Sequence, residues 1–367
     1  MNKIYKVKKN AAGHLVACSE FAKGHTKKAV LGSLLIVGAL GMATTVSAQA
    51  ATIGAYTVNK QNGNKANGDY STVSGGKDNK ANGDYSTVSG GDYNQADGTH
   101  STIGGGDSNT AKGEKSTIGG GFDNEADGTH STIGGGFTNK AKGEYSTVAG
   151  GANNKANGNY STVAGGKNNQ ATGQHSTVGG GDDNRATGTY STIAGGRKNQ
   201  ATGEGSFAAG VENQANAENA VAVGRKNIIN DSNSVAIGSN NTVEQGQKNV
   251  FILGSGTSRA KSNSVLLGNG TTGKQATTVK HATVNGLTLE NFAGVSEVGN
   301  GTVSVGSQGK ERQIVNVGAG EITAGSTDAV NGSQLYALAS TIDKEVSDIN
   351  EEVGALVDDV ANNQADI

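Results

Sequence analysis

Ser71-Thr72-Val73-Ser74-Gly75-Gly76 returns as Ser86-Thr87-Val88-Ser89-Gly90-Gly91 and again as Ser101-Thr102-Ile103-Gly104-Gly105-Gly106, each copy 15 residues after the last. Nine such triplets run to Ser191-Thr192-Ile193. A fixed short period means one structural unit stacked on itself. Ala66, Ala81 and Ala96 keep the same phase, as do Gly68, Gly83 and Gly98 before the triplet and the glycine pairs after it. Each coil therefore reads as short strand, glycine turn, short strand, glycine turn, with glycine supplying positive φ at the reversals. From Gly195 the equivalent glycines fall at Gly210, Gly224, Gly238, Gly254 and Gly268, in steps of 15, 14, 14, 16 and 14. The triplet becomes Ala220-Val221-Ala222-Val223-Gly224 or Ser234-Val235-Ala236-Ile237-Gly238, so fourteen coils of parallel β-solenoid are predicted. Val235 and Ile237 share one face and Ala236 the other. Apolar content rises in these last coils, which predicts a drier core there.

Composition agrees. The 367 residues hold 60 glycines and no proline, and a stacked strand needs the backbone N–H that proline lacks. Only 33% of the chain is hydrophobic and 4% aromatic. One Val or Ile plus one Ala per coil buries little, which points to lateral association with identical chains.

The N-terminal 48 residues read as an extended export signal. Seven lysines precede the apolar stretch from Ala29 to Met42, and Val46-Ser47-Ala48 offers a small-residue cleavage site. The stretch is shorter than the roughly 20 residues a bilayer requires. Leu15-Val16-Ala17-Cys18 resembles a lipoprotein box, but the apolar stretch follows it where it should precede it. Cys18 is the only cysteine, so the exported chain is expected to hold no disulfide and no thiolate metal site. Without residues 1–48 the chain has 23 basic and 31 acidic residues, a net charge of about −8, which argues against nucleic acid as a partner.

At the other end Ile342, Val346, Ile349, Val353, Leu356, Val360, Asn363 and Ile367 alternate in steps of four and three. That is a heptad seam with Val346, Val353, Val360 and Ile367 at a and Ile342, Ile349, Leu356 and Asn363 at d, a combination that leans away from dimers. Between solenoid and seam lie short β-rich pieces, and Ser326-Thr327-Asp328 offers a helix N-cap before Ala329-Val330. The boundaries expected are 1–48 signal, 49–268 solenoid head, 269–328 neck or connector and 329–367 start of a coiled-coil stalk.

Three stretches resemble a known family. Met1 to Val7 through Ser19 to Gly24 is similar to the extended signal of trimeric autotransporter adhesins, the YadA-like surface proteins of Gram-negative bacteria. Ser234 to Gly238 resembles their head repeat, and Glu311 to Val317 with Thr327 to Leu335 resembles their neck. The chain is most similar to the ubiquitous surface protein A adhesins of Moraxella. The resemblance implies an all-β head of left-handed parallel β-roll, a β-rich neck and an α-helical coiled-coil stalk, all in a homotrimer. It implies Arg312, Asp328, Asn331, Gln334 and Leu335 as the neck's trimer lock. Asn363 is implied as a layer facing a central anion, chloride, with no other cofactor. It also implies binding of host matrix proteins such as fibronectin, laminin or collagen, or of host-cell receptors. Catalysis is not implied, and the family's outer-membrane anchor, a C-terminal barrel, is not found in these 367 residues. The 15-residue coils depart from the family's common 14-residue form, so ligand choice is not carried over.

Other chemistries fit less well. His100, His130 and His175 alternate with Tyr70, Tyr85, Tyr145, Tyr160 and Tyr190 in one slot, which suggests stacking, and they lie at least two coils apart, too far for one metal. The triple glycines lack the Lys-Ser/Thr of a phosphate loop. Asp182-Asp183-Asn184 lacks the nine-residue period of calcium β-rolls. One Thr per coil leaves a single file where an ice lattice match wants two. Asp69, Asp84, Glu114 and Glu144 show no paired-carboxylate pattern for glycan cleavage. A carbohydrate-active solenoid enzyme and a purely structural spacer remain the alternatives to an adhesin. One charge asymmetry stands out. No acid occurs between Glu244 and Glu290, while Lys248, Arg259, Lys261, Lys274, Lys280 and adjoining His281 form a candidate basic belt for an acidic ligand.

Overall fold

A computed structural model describes residues 5–9, 15–19, 54–57 and 60–365. The chain divides into two units, Met1–Ile53 and Gly54–Ile367. In the first, Tyr5–Lys9 pairs antiparallel with Leu15–Ser19. The apolar stretch and cleavage site of the export-signal reading, and Ile367 of the seam, lie outside the described residues.

The second unit carries the predicted parallel β-solenoid. One sheet holds 13 two-residue strands from Lys65–Ala66 to Thr242–Val243. The other holds 16, from Tyr56–Thr57 through Thr72–Val73 to Val265–Leu267 and Val303–Ser304. Every described pairing in the two sheets is parallel, and all but the last join a coil to the next at the same phase, as Thr132↔Thr147 and Lys140↔Lys155 do. A third file of single bridges runs from Lys77 through Asp92, Asp107, Phe122, Phe137, Ala152, Lys167 and Asp182 to Arg197. The amides of Thr132, Gly134, Phe137, Lys140 and Lys142 all donate to the following coil, so a proline at any of them would cost a bond. Val303–Ser304 folds back from the connector onto Val265–Leu267 and covers that edge of the 16-stranded sheet.

Each 15-residue coil buries one Val or Ile and one Ala, as expected, and also a Ser and an Asn: Ile133, Ala141, Ser131 and Asn139 are all fully buried. One buried Val or Ile contributes about 1.5–3 kcal/mol, so much of the cohesion falls to the coil-to-coil hydrogen bonds. The step from 15 to 14 residues is taken as a bulge. Pairing of Thr192–Arg197 with Phe207–Val211 shifts between Ile193 and Gly195, leaving Ala194 as the extra residue.

Three expectations are corrected. The glycines before the triplet do not serve positive φ. At Gly143 a Cβ would sit 2.0 Å from the Gly158 carbonyl oxygen, so closeness of the next coil excludes a side chain. Left-handed backbone is found instead at Gly76 and its equivalents and, more often, at non-glycine corners such as Tyr85, Asp78 and His130. In the last coils Ala208, Ala222 and Ala236 point inward, while Ile237, Phe251 and Leu253 are 37%, 38% and 49% exposed. Much of the added apolarity thus lies outside, and Asn213, Asn227 and Asn241 stay buried within, so the drying is partial: it comes from Ala220 and Val250 in place of the buried serine and from the buried Ile252 and Leu266. Finally, the C-terminal helix α1 spans Gly332–Ala365, and its cap is Asn331, not Ser326-Thr327-Asp328. Asn331 Oδ1 accepts from Ser333 N (3.1 Å) and Gln334 N (3.3 Å), and Gln334 Oε1 accepts from Asn331 N (3.1 Å), a reciprocal capping box. The helix thus begins three residues later than that cap would place it, and its first turns continue the seam one heptad before Ile342, with Leu335 at d and Ala339 at a.

Candidate functional site

The basic belt is sorted into separate places. Arg259 and Lys274 line an open cleft of about 910 Å³ at the last coil, together with Thr272, Val303, Glu311 and Arg312. Parallel pairing of Ser258 with Thr272 sets this juxtaposition, because it aligns the two following segments. Lys248, Lys261, Lys280 and His281 do not line that cleft. Lys248 and Lys261 approach the corner marked by Asn263 and Ser264, whose amides donate to their carbonyls. Lys280 and His281 lead into the small hairpin of Ala282–Val284 and Leu287–Leu289. None of these six side chains forms an ion pair among the described residues.

The neck residues make contacts within their own chain. The Arg312 guanidinium donates to Asn269 O (2.5 Å), to Thr271 Oγ1 (3.3 Å) and to Val305 O, tying the connector to the last coil. Asp328 Oδ2 accepts from Glu321 N. Gln334 pairs both its amide atoms with Gly320, and Asn331 Nδ2 donates to Val317 O, so the capping box also clamps the incoming connector segment. Leu335 is 59% exposed at the head of the seam, and Asn363 is exposed near the end of α1.

The Tyr/His slot stacks. His130, Tyr145, Tyr160, His175 and Tyr190 form a continuous pile with ring centroids 4.6–5.1 Å apart and planes within 5–9°. Tyr70, Tyr85 and His100 form a second pile, and Lys115 stands between them. All eight rings sit on left-handed backbone, where stacking offsets a conformation that non-glycine residues disfavour. In the last coils the slot is filled by Asn219, Asn233, Asn249 and Asn263, the usual residue for that conformation.

A charge cluster lies on the 13-stranded sheet. Glu125 accepts from Lys112 and from Lys140 (2.9 Å), and Asp127 lies 3.5 and 3.4 Å from Lys112 and Lys142. The hydrogen bond from Lys112, then that from Lys140, hold the Glu125 carboxyl at about 2, below its ordinary 4.5. A depressed carboxyl pKa supplies stability that is whole above pH 4.5 and is lost as pH falls through about 2. The gap in thermal stability between the native chain and Glu125→Gln is expected to be about 1 kcal/mol at pH 7, given solvent screening, and to close across that window. A gap that survives at pH 2 would assign the effect to packing.

Sequence reasoning missed the asparagine file, although its signal was present: thirteen asparagines from Asn64 to Asn241 recur at coil period. In each full coil Asn Nδ2 bonds a carbonyl of its own glycine turn and one of the next coil, while Oδ1 receives the next asparagine's amide.

The comparisons with known proteins fall on this frame. A family described as the coiled stalk of trimeric autotransporter adhesin matches residues 313–358. The ubiquitous surface protein adhesin repeat matches residues 86–98 and 161–173. The autotransporter adhesin BtaE of Brucella suis biovar 1 (strain 1330) is 46% identical over 77 residues, which cover 21% of this chain and 10% of that protein's length. The solved C-terminal YadA-like domain of a Burkholderia pseudomallei protein is 37% identical over 34% of this chain and 50% of its own, with a TM-score of 0.26. Among the described residues no helix is long and apolar enough to cross a membrane.

Proposed function

We propose, taking the chain as the trimeric autotransporter adhesin that its head-repeat, stalk and BtaE matches support, that it holds a rigid head away from the bacterial surface to bind host matrix proteins or cell receptors. The observation that carries the reading is the union, in one chain, of a hydrogen-bonded solenoid with an exposed heptad seam. Ile342, Val346, Ile349, Val353, Leu356 and Val360 are each half or more exposed on a single chain. Such a row on α1 needs partner helices, which homotrimer formation supplies. The work is attachment without turnover, on a chain anchored to the outer membrane. The neck residues Arg312, Asp328, Asn331, Gln334 and Leu335 hold the head-to-stalk junction, and an anion such as chloride sits at the Asn363 layer.

Ligand capture is assigned to the base of the head, where Arg259, Lys274 and Arg312 outnumber Glu311 in one cleft. Three chains triple that charge, and its attraction for acidic matrix proteins or sulfated glycans weakens as added salt shortens the screening length. Sedimentation equilibrium of residues 49–367 is expected to give three times the chain mass. The trimer is expected to bind at least one of immobilised fibronectin, laminin, collagen or a receptor ectodomain, and to release no oligosaccharide from surface polysaccharides. Arg259→Glu with Lys274→Glu is expected to weaken binding and flatten its salt dependence, and Lys248→Glu with Lys280→Glu to do so less. A trimer that binds none of these ligands leaves the structural spacer as the better reading.

A further inference from the structure

The third file of the solenoid carries charged or small residues at seven of its nine positions. At the other two it carries Phe122 and Phe137, on successive coils, 44% and 55% exposed. Their rings stack with centroids 5.4 Å apart and planes 8° from parallel. The coil does not demand them, since Asp92, Asp107, Ala152, Lys167 and Arg197 occupy the same corner in other coils with the same bridge and the same buried asparagine beside it. Unlike the exposed tyrosines of the neighbouring slot, these rings carry no polar group, and two phenyl rings left in water within a file of charged and small residues call for a partner.

The approach to them is clear. A Cβ on Gly120 or Gly135, each two residues before a phenylalanine, would meet no atom closer than 4.0 and 3.9 Å, so the backbone leading to each ring is open and free of side chains. The charge beside Phe122 is acidic, while on the far side of Phe137 the file runs through Ala152 to Lys167. Asp107 is the bridge neighbour of Phe122, Asp92 lies one coil further, and Asp123 follows Phe122 in sequence. None of the three carboxylates forms an ion pair among the described residues. The lysines of these coils are engaged elsewhere: Lys112 and Lys140 on Glu125, Lys142 on Asp127 and Lys115 on Glu114.

We propose that Phe122 and Phe137, rimmed by Asp92, Asp107 and Asp123, form a docking site for a protein segment that presents an apolar side chain next to a lysine or arginine. The rings supply an aromatic anchor of the kind that dominates interfaces, and the carboxylates select the neighbouring cation. Three copies in the trimer add avidity for a repetitive partner. The proposal rests on the adhesin reading for the source of that partner, but not for the chemistry of the site.

The test uses the trimer and a fluorescent synthetic peptide of alternating leucine and arginine, with control peptides in which serine replaces leucine or glutamate replaces arginine. The native trimer is expected to bind the first peptide and neither control. Phe122→Ser with Phe137→Ser is expected to weaken that binding about tenfold or more, as is Asp92→Lys with Asp123→Lys, both with unchanged melting because these side chains are exposed. Equal binding by native and variant trimers overturns the proposal, as does failure of the native trimer to bind the peptide. Dissociation of the phenylalanine variant into single chains also overturns it, because the occupant is then a second copy of this chain. Adhesion of the same proteins to host cells separates the two readings. Native trimer that binds the peptide but no cell or matrix protein supports the site while removing the adhesin. Cell binding that survives alongside unchanged peptide binding in the variant does the reverse.

Discussion

Gly143→Ala is expected to destabilise the head by about 4 kcal/mol or more, in the class of the most damaging single substitutions, whereas Gly150→Ala, seven residues on, changes stability by no more than about 0.5 kcal/mol. The two glycines look alike in sequence. A Cβ on Gly143 would lie 2.0 Å from Gly158 O, 2.4 Å from Gly158 C and 2.9 Å from Asn159 N, all backbone of the next coil, which cannot swing aside as a side chain can. A Cβ on Gly150 would meet nothing within 4 Å, and its φ lies outside the left-handed range. Because each coil touches only its neighbours, the damage at Gly143 falls on one interface and divides the stack there. Thermal unfolding measures the stability, and tryptic cleavage at Lys140, Lys142 and Lys155 locates the break. A Gly143→Ala head that melts with the native one and resists trypsin would sink the close-approach account.

That contrast marks the limit of what the sequence makes legible. The 15-residue period, the inward Val or Ile and Ala, and the heptad seam are local periodicities, and each appears in the structure where its spacing placed it. What the spacing leaves open is anything decided by the adjoining coil. Gly143 and Gly150 differ only in whether the next coil's carbonyl faces them, and Ser131 and Asn139 only in whether carbonyls come within reach. Similarly, Asn331 and Gln334 resemble family neck residues in sequence, yet their reciprocal cap depends on the helix starting at Gly332. Alternation correctly separates Val235 and Ile237 from Ala236 but does not say which face is inside. The coil's narrow interior takes the alanine, with Ile229 and Val243 filling the opposite wall.

The separation of apolarity between inside and outside bears on assembly. Along the nine 15-residue coils the outward residue of the triplet strand is threonine, as at Thr132 and Thr147, while in the following coils it is Phe207, Val221, Val235, Phe251 and Val265. Lateral association of identical chains therefore has most apolar surface to bury near the base of the head, next to the neck and the seam. The nine upper coils keep a threonine face on this strand, and the Phe122–Phe137 pair is the interruption in the mostly charged file that runs along another side of them.

The asparagine file is expected to be the least tolerant buried position, and Asn139→Asp tests it with almost no change of shape. Asn139 is fully buried; its Nδ2 donates to Gly135 O (3.0 Å) and Gly151 O (2.9 Å), and its Oδ1 accepts from Asn154 N (2.9 Å). A carboxylate keeps the acceptor but turns its second oxygen toward two carbonyl oxygens, so a buried charge meets acceptors where it needs donors. The cost at pH 7 is expected to be about 3 kcal/mol or more. Burial and the facing carbonyls raise the folded-state pKa of the introduced carboxyl above its unfolded value of about 3.9. The sign of the linkage is then opposite to that of Glu125: the variant recovers stability as pH falls through the raised pKa, because the protonated acid can donate to one of those carbonyls. Ser146→Ala is the control. The Ser146 hydroxyl is buried without a hydrogen-bond partner among the described residues, and Ala220 and Val250 already stand at that phase in later coils, so the change is expected to be neutral within about 0.5 kcal/mol. Melting temperatures of the two variants between pH 7 and pH 4 decide the matter. Equal stability of Asn139→Asp and Ser146→Ala at pH 7, or an Asn139→Asp head that fails to recover on acidification, would remove the asparagine ladder as the element that holds coil to coil.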